Sequence, residues 1–203
     1  MKEAVKSDLE LILKSSSANI PEIHKIKTYA LLSELQEKSP VCFGIIAALG
    51  YEPGRDSEYV SAMCRDYFKK IPVNIHDGSA LKRLLETVCS DGAVLIDSAG
   101  EIIHSGMYLA YKSHKEVLKG VNAKRNGSLP ERFGFCEDVG TRHISAVCAS
   151  YRMPDTMVYI ISEETGRMRV FEKGRIIYSP MEKEMQGNYG RLDFPAAQRG
   201  FSR

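Results

Sequence analysis

Three short clusters in this chain combine residue types that can act on a phosphorylated ligand. The first is Asp91-Gly92-Ala93, where a helical pattern gives way to a strand pattern. A carboxylate there can hold a divalent cation, and the following glycine lets the backbone approach a ligand closely. Asp-Gly is also among the commonest turn dipeptides, so a plain turn stays open. The second cluster, Gly140-Thr141-Arg142-His143, stands directly before a short helical pattern. Unpaired N–H groups, the positive end of the helix dipole, a hydroxyl and a guanidinium would converge there, the environment a triphosphate requires. Without a ligand, Thr141 reads as a simple cap with Arg142 and His143 solvated, although a cationic first turn opposes the dipole unless an anion balances it. The third cluster, Ser162-Glu163-Glu164-Thr165-Gly166, ends a strand pattern. Its paired carboxylates can bind Mg²⁺ or Mn²⁺ together with Asp91, or simply form a charged hairpin turn. The chain has no Gly-x-x-x-x-Gly-Lys-Ser/Thr, Gly-x-Gly-x-x-Gly, His-Glu-x-x-His or Gly-x-Ser-x-Gly motif.

The elements that must position these clusters are readable from periodicity. Val5, Leu9, Ile12 and Leu13 share one face of a first helix, which Ser15-Ser16-Ser17 interrupts. A second helix starts near Asn19 and Pro21, carries Ile23, Ile26, Ala30, Leu31 and Leu35, and stops before Pro40. Val41–Leu49 predicts a buried strand, followed by the turn Glu52-Pro53-Gly54-Arg55. Ser57 predicts the cap of a third helix burying Val60, Met63, Cys64, Tyr67, Phe68 and Ile71, and a fourth helix after Asp77 buries Leu81, Leu84, Leu85 and Val88. Beyond Asp91 the period changes. Gly92–Asp97 and Glu101–His104 flank Ser98-Ala99-Gly100 as a hairpin, and residues 111–135 predict a helix plus a long surface loop. Ile144, Val147, Cys148 and Tyr151 mark a short helix. Met157–Ser162, Arg167–Phe171 and Arg175–Tyr178 then read as a three-strand meander, with an irregular tail after it. The class is α/β, bordering on α+β: a single domain with a central mixed sheet flanked by helices and an N-terminal helical region.

Composition limits the function classes. The chain has 203 residues, 43% hydrophobic and 27% charged, close to soluble globular averages, which excludes a disordered or fibrous protein. A formal charge of +2 gives no support for a nucleic-acid-coating role. The longest apolar run, Val41–Leu49, is far short of the roughly 20 residues a membrane-spanning helix needs. With no signal-peptide core either, the expectation is a cytoplasmic protein with no membrane or nucleic-acid partner. The five cysteines, Cys42, Cys64, Cys89, Cys136 and Cys148, form no close pair and read as small buried hydrophobes in a reducing compartment.

Taken together and in this order, the clusters resemble the diadenylate cyclase (DAC) domain family, whose signatures are Asp-Gly-Ala opening a strand, Gly-Thr-Arg-His-Arg opening a helix, and Ser-Glu-Glu after the next strand. Asp155, Arg169-Val170-Phe171 and Lys173-Gly174 are similar as well, and the likeness covers roughly residues 75–180. It implies residues 71–180 as the catalytic domain; residues 1–70 have no counterpart in it and read as a helical region for regulation or oligomerisation or as part of the fold's wall, and residues 181–203 read as an irregular tail. It implies that two ATP molecules condense into cyclic di-AMP with release of two pyrophosphates, in a homo-oligomer with face-to-face sites. By the same resemblance Asp91, Arg142 and His143 are catalytic, and Gly92, Leu109, Gly140, Thr141, Arg142 and Ser162 bind ATP, Leu109 against adenine. Asp91, Glu163 and Glu164 hold Mg or Mn. Two departures stand out. Ile144 replaces the usual second arginine, which suggests a sensor that binds ATP or cyclic di-AMP without turnover as the alternative. The segment from Leu109 to Gly140 is long and basic, so Lys112, Lys115, Lys119, Lys124, Arg125 or Arg132 is a candidate substitute for the lost cation.

Overall fold

The segment Ile45-Ile46-Ala47-Ala48-Leu49 is apolar at every position, the pattern of a strand covered on both faces. In the computed structural model, which describes residues 3–39, 43–109, 114–121, 123 and 126–185, it is strand β1 (Ile45–Leu49) in the middle of the sheet. The other strands are β2 (Val60–Ala62), β3 (Val73–Asn74), β4 (Ala93–Ile96), β5 (Glu101–Leu109), β6 (Met157–Ile161), β7 (Met168–Glu172) and β8 (Arg175–Tyr178). Their order is β2-β5-β4-β1-β6-β7-β8, with β3 also pairing with β5. The β1–β4 pair is parallel and the remaining pairs are antiparallel, so the sheet is mixed.

Alternation along each strand divides the core into two layers. Ile45, Ala47 and Leu49 of β1, Val94 and Ile96 of β4, and Tyr159 of β6 face α1 (Glu3–Ser15), α2 (Glu22–Lys38) and α4 (Ala80–Leu85). Ile46, Ala48, Leu95, Val158 and Ile160 face the opposite layer, built from α5 (His114–Gly120), α6 (Leu129–Arg132) and α7 (Thr141–Arg152). Two further short helices are α3 (Pro53–Asp56) and α8 (Glu182–Met185), and Met185 of α8 packs against the second layer. The protein is thus one mixed α/β domain, a central mixed sheet flanked by helices. No helix among the described residues is long and apolar enough to cross a membrane.

Several expectations need correction. Residues 57–71 do not form a helix: Ser57–Tyr59 make a single 3-10 turn, Val60–Ala62 become the edge strand β2, and the chain then runs irregularly to β3. Asp66 is the reason. Its Oδ1 accepts the N–H groups of Phe68, Lys69 and Ser105, and its Oδ2 lies 2.7 Å from His104 Nδ1, which ties this segment to β5. Only Phe68 of the proposed helix face is fully buried, while Met63 and Ile71 are exposed. Ile23 of α2 is exposed too; the buried side of that helix is Lys25, Thr28, Tyr29, Leu31, Leu32 and Leu35. Cys64, Cys89 and Cys136 are exposed and only Cys148 is buried, so the reading of the cysteines as core residues fails for three of these four. β5 extends five residues past His104, and residues 182–185 form α8 within the expected irregular tail. Pro40, Val41, Cys42 and residues 186–203 lie outside the described residues.

Candidate functional site

The three clusters meet at one end of the sheet. β1 and β4 begin there, and β5 and β6 end there. Asp91 and Gly92 lead into β4, Met107-Tyr108-Leu109 close β5, Ser162-Glu163-Glu164 follow β6, and α7 starts alongside. Together they line a cavity of about 430 Å³ with an apolar side (Ile46, Met63, Ala93, Met107, Leu109, Ile160) and a polar side where the clusters sit. Gly92 is required by geometry. Its φ is +97°, and a Cβ would come within 2.6 Å of the Gly106 carbonyl carbon on β5.

Arg142, in the first turn of α7, joins the other two clusters. Its Nη2 donates to Asp91 Oδ1 at 3.0 Å and its Nη1 to Glu163 Oε2 at 2.5 Å. Asp91 and Arg142, 51 positions apart in sequence, are therefore in direct contact. The Gly92 N–H, and then the Arg142 guanidinium, hold the Asp91 carboxyl below its ordinary pKa. Burial opposes the charge of Arg142, but Glu163 and Asp91 outweigh it and raise its pKa. All three side chains are more than a third exposed, so the ion pairs contribute little to stability and are open to exchange for a ligand.

α7 begins at Thr141, with Gly140 as its N-cap and no side chain capping the first turn. Thr141 is therefore inside the helix rather than its cap. The uncapped N–H groups and the dipole leave this end suited to an anion. Ser162 is buried; its Oγ donates to Glu164 Oε2 at 2.8 Å, and that hydroxyl holds the Glu164 carboxyl below its ordinary pKa. Leu109 is buried in the cavity wall.

His143 is not solvated. It is 3% exposed, its ring lies edge-on to Phe135, and burial, followed by the nearby Arg169 charge, brings its pKa down to about 4. The unfolded chain binds this proton near pH 6.5 and the folded chain only near pH 4. Between those values the unfolded state holds more protons, so the contribution of His143 to stability is present above pH 6.5 and is lost as pH falls towards 4. Urea unfolding is expected to show lower stability at pH 5 than at pH 7, and a smaller difference in His143→Gln. An equal difference in the variant would show that another group carries it.

Position 144 does not face the cavity. Ile144 packs in the core layer beneath α7, so an arginine there would not reach a phosphate without rearrangement. None of Lys115, Lys119 and Arg132 lines the cavity either, and Lys112, Lys124 and Arg125 lie outside the described residues. Sequence reasoning missed Gly44 and Ser145, placed Met63 on a helix, and took Arg169 only as part of the family likeness. A Cβ on Gly44 would stand 2.8 Å from Arg142 Nη1, so this glycine makes room for the guanidinium. Met63 was hidden by the mistaken helix. Ser145 and Arg169 did leave a signal, each being a polar residue flanked by apolar neighbours on α7 and β7.

Among the described residues no three His, Cys, Asp or Glu side chains form a ready-made site for a metal ion. Asp91 and Glu163 nevertheless present hard carboxylate oxygens either side of Arg142, and Mg²⁺ commonly binds through one or two carboxylates plus substrate phosphates. The residues fit a cation that arrives with a phosphorylated ligand.

The family model described as DAC, DisA bacterial checkpoint controller nucleotide-binding, matches residues 69–176. A curated protein from Methanocaldococcus jannaschii named diadenylate cyclase is 23% identical, over 79% of this chain and 52% of its own length, so the chain spans about half of that relative. A solved double mutant of DacA from Staphylococcus aureus is similar at 20% identity and TM-score 0.45, covering 89% of this chain and 93% of that one. A structure titled as a hypothetical membrane spanning protein from Bacillus cereus is similar at 15% identity and TM-score 0.47, covering 87% and 88%.

Proposed function

The chain belongs to the DAC family, and from that premise we propose that it is a diadenylate cyclase, joining two ATP into cyclic di-AMP with release of two pyrophosphates. The observation that carries this reading is the contact of Arg142 with both Asp91 and Glu163 at the polar side of an otherwise apolar cavity. Each ribose 3′-oxygen attacks the α-phosphorus of the other ATP, a P–O bond forms, the bond to pyrophosphate breaks, and the hydroxyl proton leaves to a base or water.

The residues divide the task. Leu109 and the apolar wall hold adenine. Gly92 lets the backbone of β4 lie close to the nucleotide. The start of α7, with Gly140, Thr141 and Arg142, binds phosphate oxygens through N–H groups, hydroxyl and guanidinium. His143 stands behind them as a neutral imidazole, and Ser162 contacts the ligand from the end of β6. Asp91, with Glu163 or Glu164, would hold Mg or Mn, which when bound neutralises phosphate charge and favours deprotonation of the attacking hydroxyl. Holding both reactants in attack geometry can supply ~7–11 kcal/mol of the barrier. Because Ile144 is core, its presence gives no separate support to the alternative, a sensor without turnover. An enzyme drawing on ATP in this way would work in the cytoplasm.

One chain carries one set of clusters, whereas the product is symmetric and needs two. Two copies facing each other complete the ring, as expected for an isologous pair. Specific activity, measured as cyclic di-AMP formed from ATP with Mn²⁺, is therefore expected to fall on dilution below the dissociation constant of the assembly. Constant specific activity from a species shown to be monomeric would contradict the face-to-face arrangement.

A further inference from the structure

Behind the polar side of the cavity, β7 carries an arginine that is completely buried. Arg169 has 0% exposure, and its guanidinium is held by Glu184, Glu137 and His143, with the Met181 sulfur 3.8 Å from Nη2. Nε donates to Glu184 Oε2 at 2.7 Å, Nη2 to Glu184 Oε1 at 3.0 Å and to Glu137 Oε1 at 2.6 Å, and Nη1 to His143 Nε2 at 3.3 Å. Glu184 is itself buried, accepts the Ser179 hydroxyl at 2.6 Å, and belongs to α8, beyond the stretch that the family model matches. Replacing a buried ion cluster of this kind by packed apolar residues is often neutral or stabilising, so stability alone does not account for it.

The bond to His143 has a definite chemical consequence. A guanidinium has five N–H donors and no acceptor, and it stays protonated in proteins. A hydrogen bond between Arg169 and His143 therefore requires a lone pair on Nε2, and a neutral ring must carry its proton on Nδ1. His143 is among the residues that line the cavity, and among the described residues no hydrogen bond runs from its Nδ1. We propose that Arg169 is a positioning residue that locks His143 as the Nδ1–H tautomer, a fixed neutral donor to a phosphate oxygen of the bound nucleotide, and that Glu184 of α8 and Glu137 hold Arg169 in that pose. The donor role rests on the reading of the cavity as a nucleotide site; the tautomer lock does not. The depressed pKa of His143 agrees with a ring that stays neutral near pH 7. Sequence outside the family match thus takes part in setting the site.

The test is a two-bond ¹H–¹⁵N spectrum of the full chain labelled at histidine, at pH 7, with the His143 signals identified by their loss in His143→Gln. The expected result is a protonated Nδ1 and an unprotonated Nε2. An Nε2–H tautomer, or an imidazolium, would overturn the proposal. Arg169→Met is expected to lose the Nδ1–H preference and bind 3′-deoxy-ATP, which lacks the attacking hydroxyl, ~10-fold more weakly. A folded Arg169→Met that keeps the tautomer would also overturn it. Should that variant not fold, Glu137→Gln removes one charge from the clamp, and a tautomer shift is expected there in its place; an unchanged tautomer there would count against the clamp. Adding 3′-deoxy-ATP to the wild type should move the Nδ1–H proton downfield. Binding that leaves this proton unmoved would contradict the donor role. No binding at all would defeat the nucleotide reading while the tautomer result stood by itself.

Discussion

Asp91→Asn is expected to reduce cyclic di-AMP formation by at least ~10³-fold while nucleotide binding and folding stay near the wild-type level. The substitution is nearly isosteric, and an amide oxygen can still accept the bonds that Asp91 Oδ1 receives from the Gly92 N–H at 2.9 Å and from Arg142 at 3.0 Å. An asparagine also suits a turn followed by glycine. The lost ion pair is about half exposed, so its removal should change stability by less than ~1 kcal/mol. What is lost is the negative charge that would organise the attacking hydroxyl and the α-phosphate, an effect confined to the transition state. The divergence between binding and turnover is the diagnostic. Calorimetric titration with 3′-deoxy-ATP beside a product assay measures both. Near-normal synthesis by Asp91→Asn would make Asp91 a turn residue only.

Arg142→Ala is expected to behave differently, weakening binding as well as turnover. A charge-assisted hydrogen bond to phosphate contributes ~1.5–3 kcal/mol, so affinity for 3′-deoxy-ATP should fall by roughly 10- to 150-fold. The variant also leaves Asp91 and Glu163 without the cation that stands between them, adding repulsion to an incoming triphosphate. Arg142→Lys should restore little, because a point ammonium cannot span two carboxylates as a planar fork does. Unchanged nucleotide affinity in Arg142→Ala would remove Arg142 from the phosphate site.

The parts legible in sequence were those written in local pattern. β1, β4 and β6 are apolar at every position because both faces are covered, and α7 begins within the Gly140–His143 cluster that was expected to open it. The convergence of Asp91 with Arg142 was also legible, through the family signatures. The edge strand β2 was not: Val60, Met63, Tyr67, Phe68 and Ile71 follow helical spacing, but β5 and the bonds to Asp66 pull the segment into the sheet. Tertiary pairing outweighed a local periodicity. Two more features were invisible because they depend on distant partners. Glu184 gains its meaning only when Arg169 is opposite it, and Ile144 reads as a lost cation until its side chain is seen packed in the core.

The most direct test of the central claim is product analysis. Purified protein at a concentration that favours assembly is incubated with ATP and Mg²⁺ or Mn²⁺, and the products are identified by mass spectrometry alongside a pyrophosphate measurement. The account predicts cyclic di-AMP with two pyrophosphates released per molecule formed. ATP bound but returned unchanged, or converted only to ADP or AMP, would contradict it.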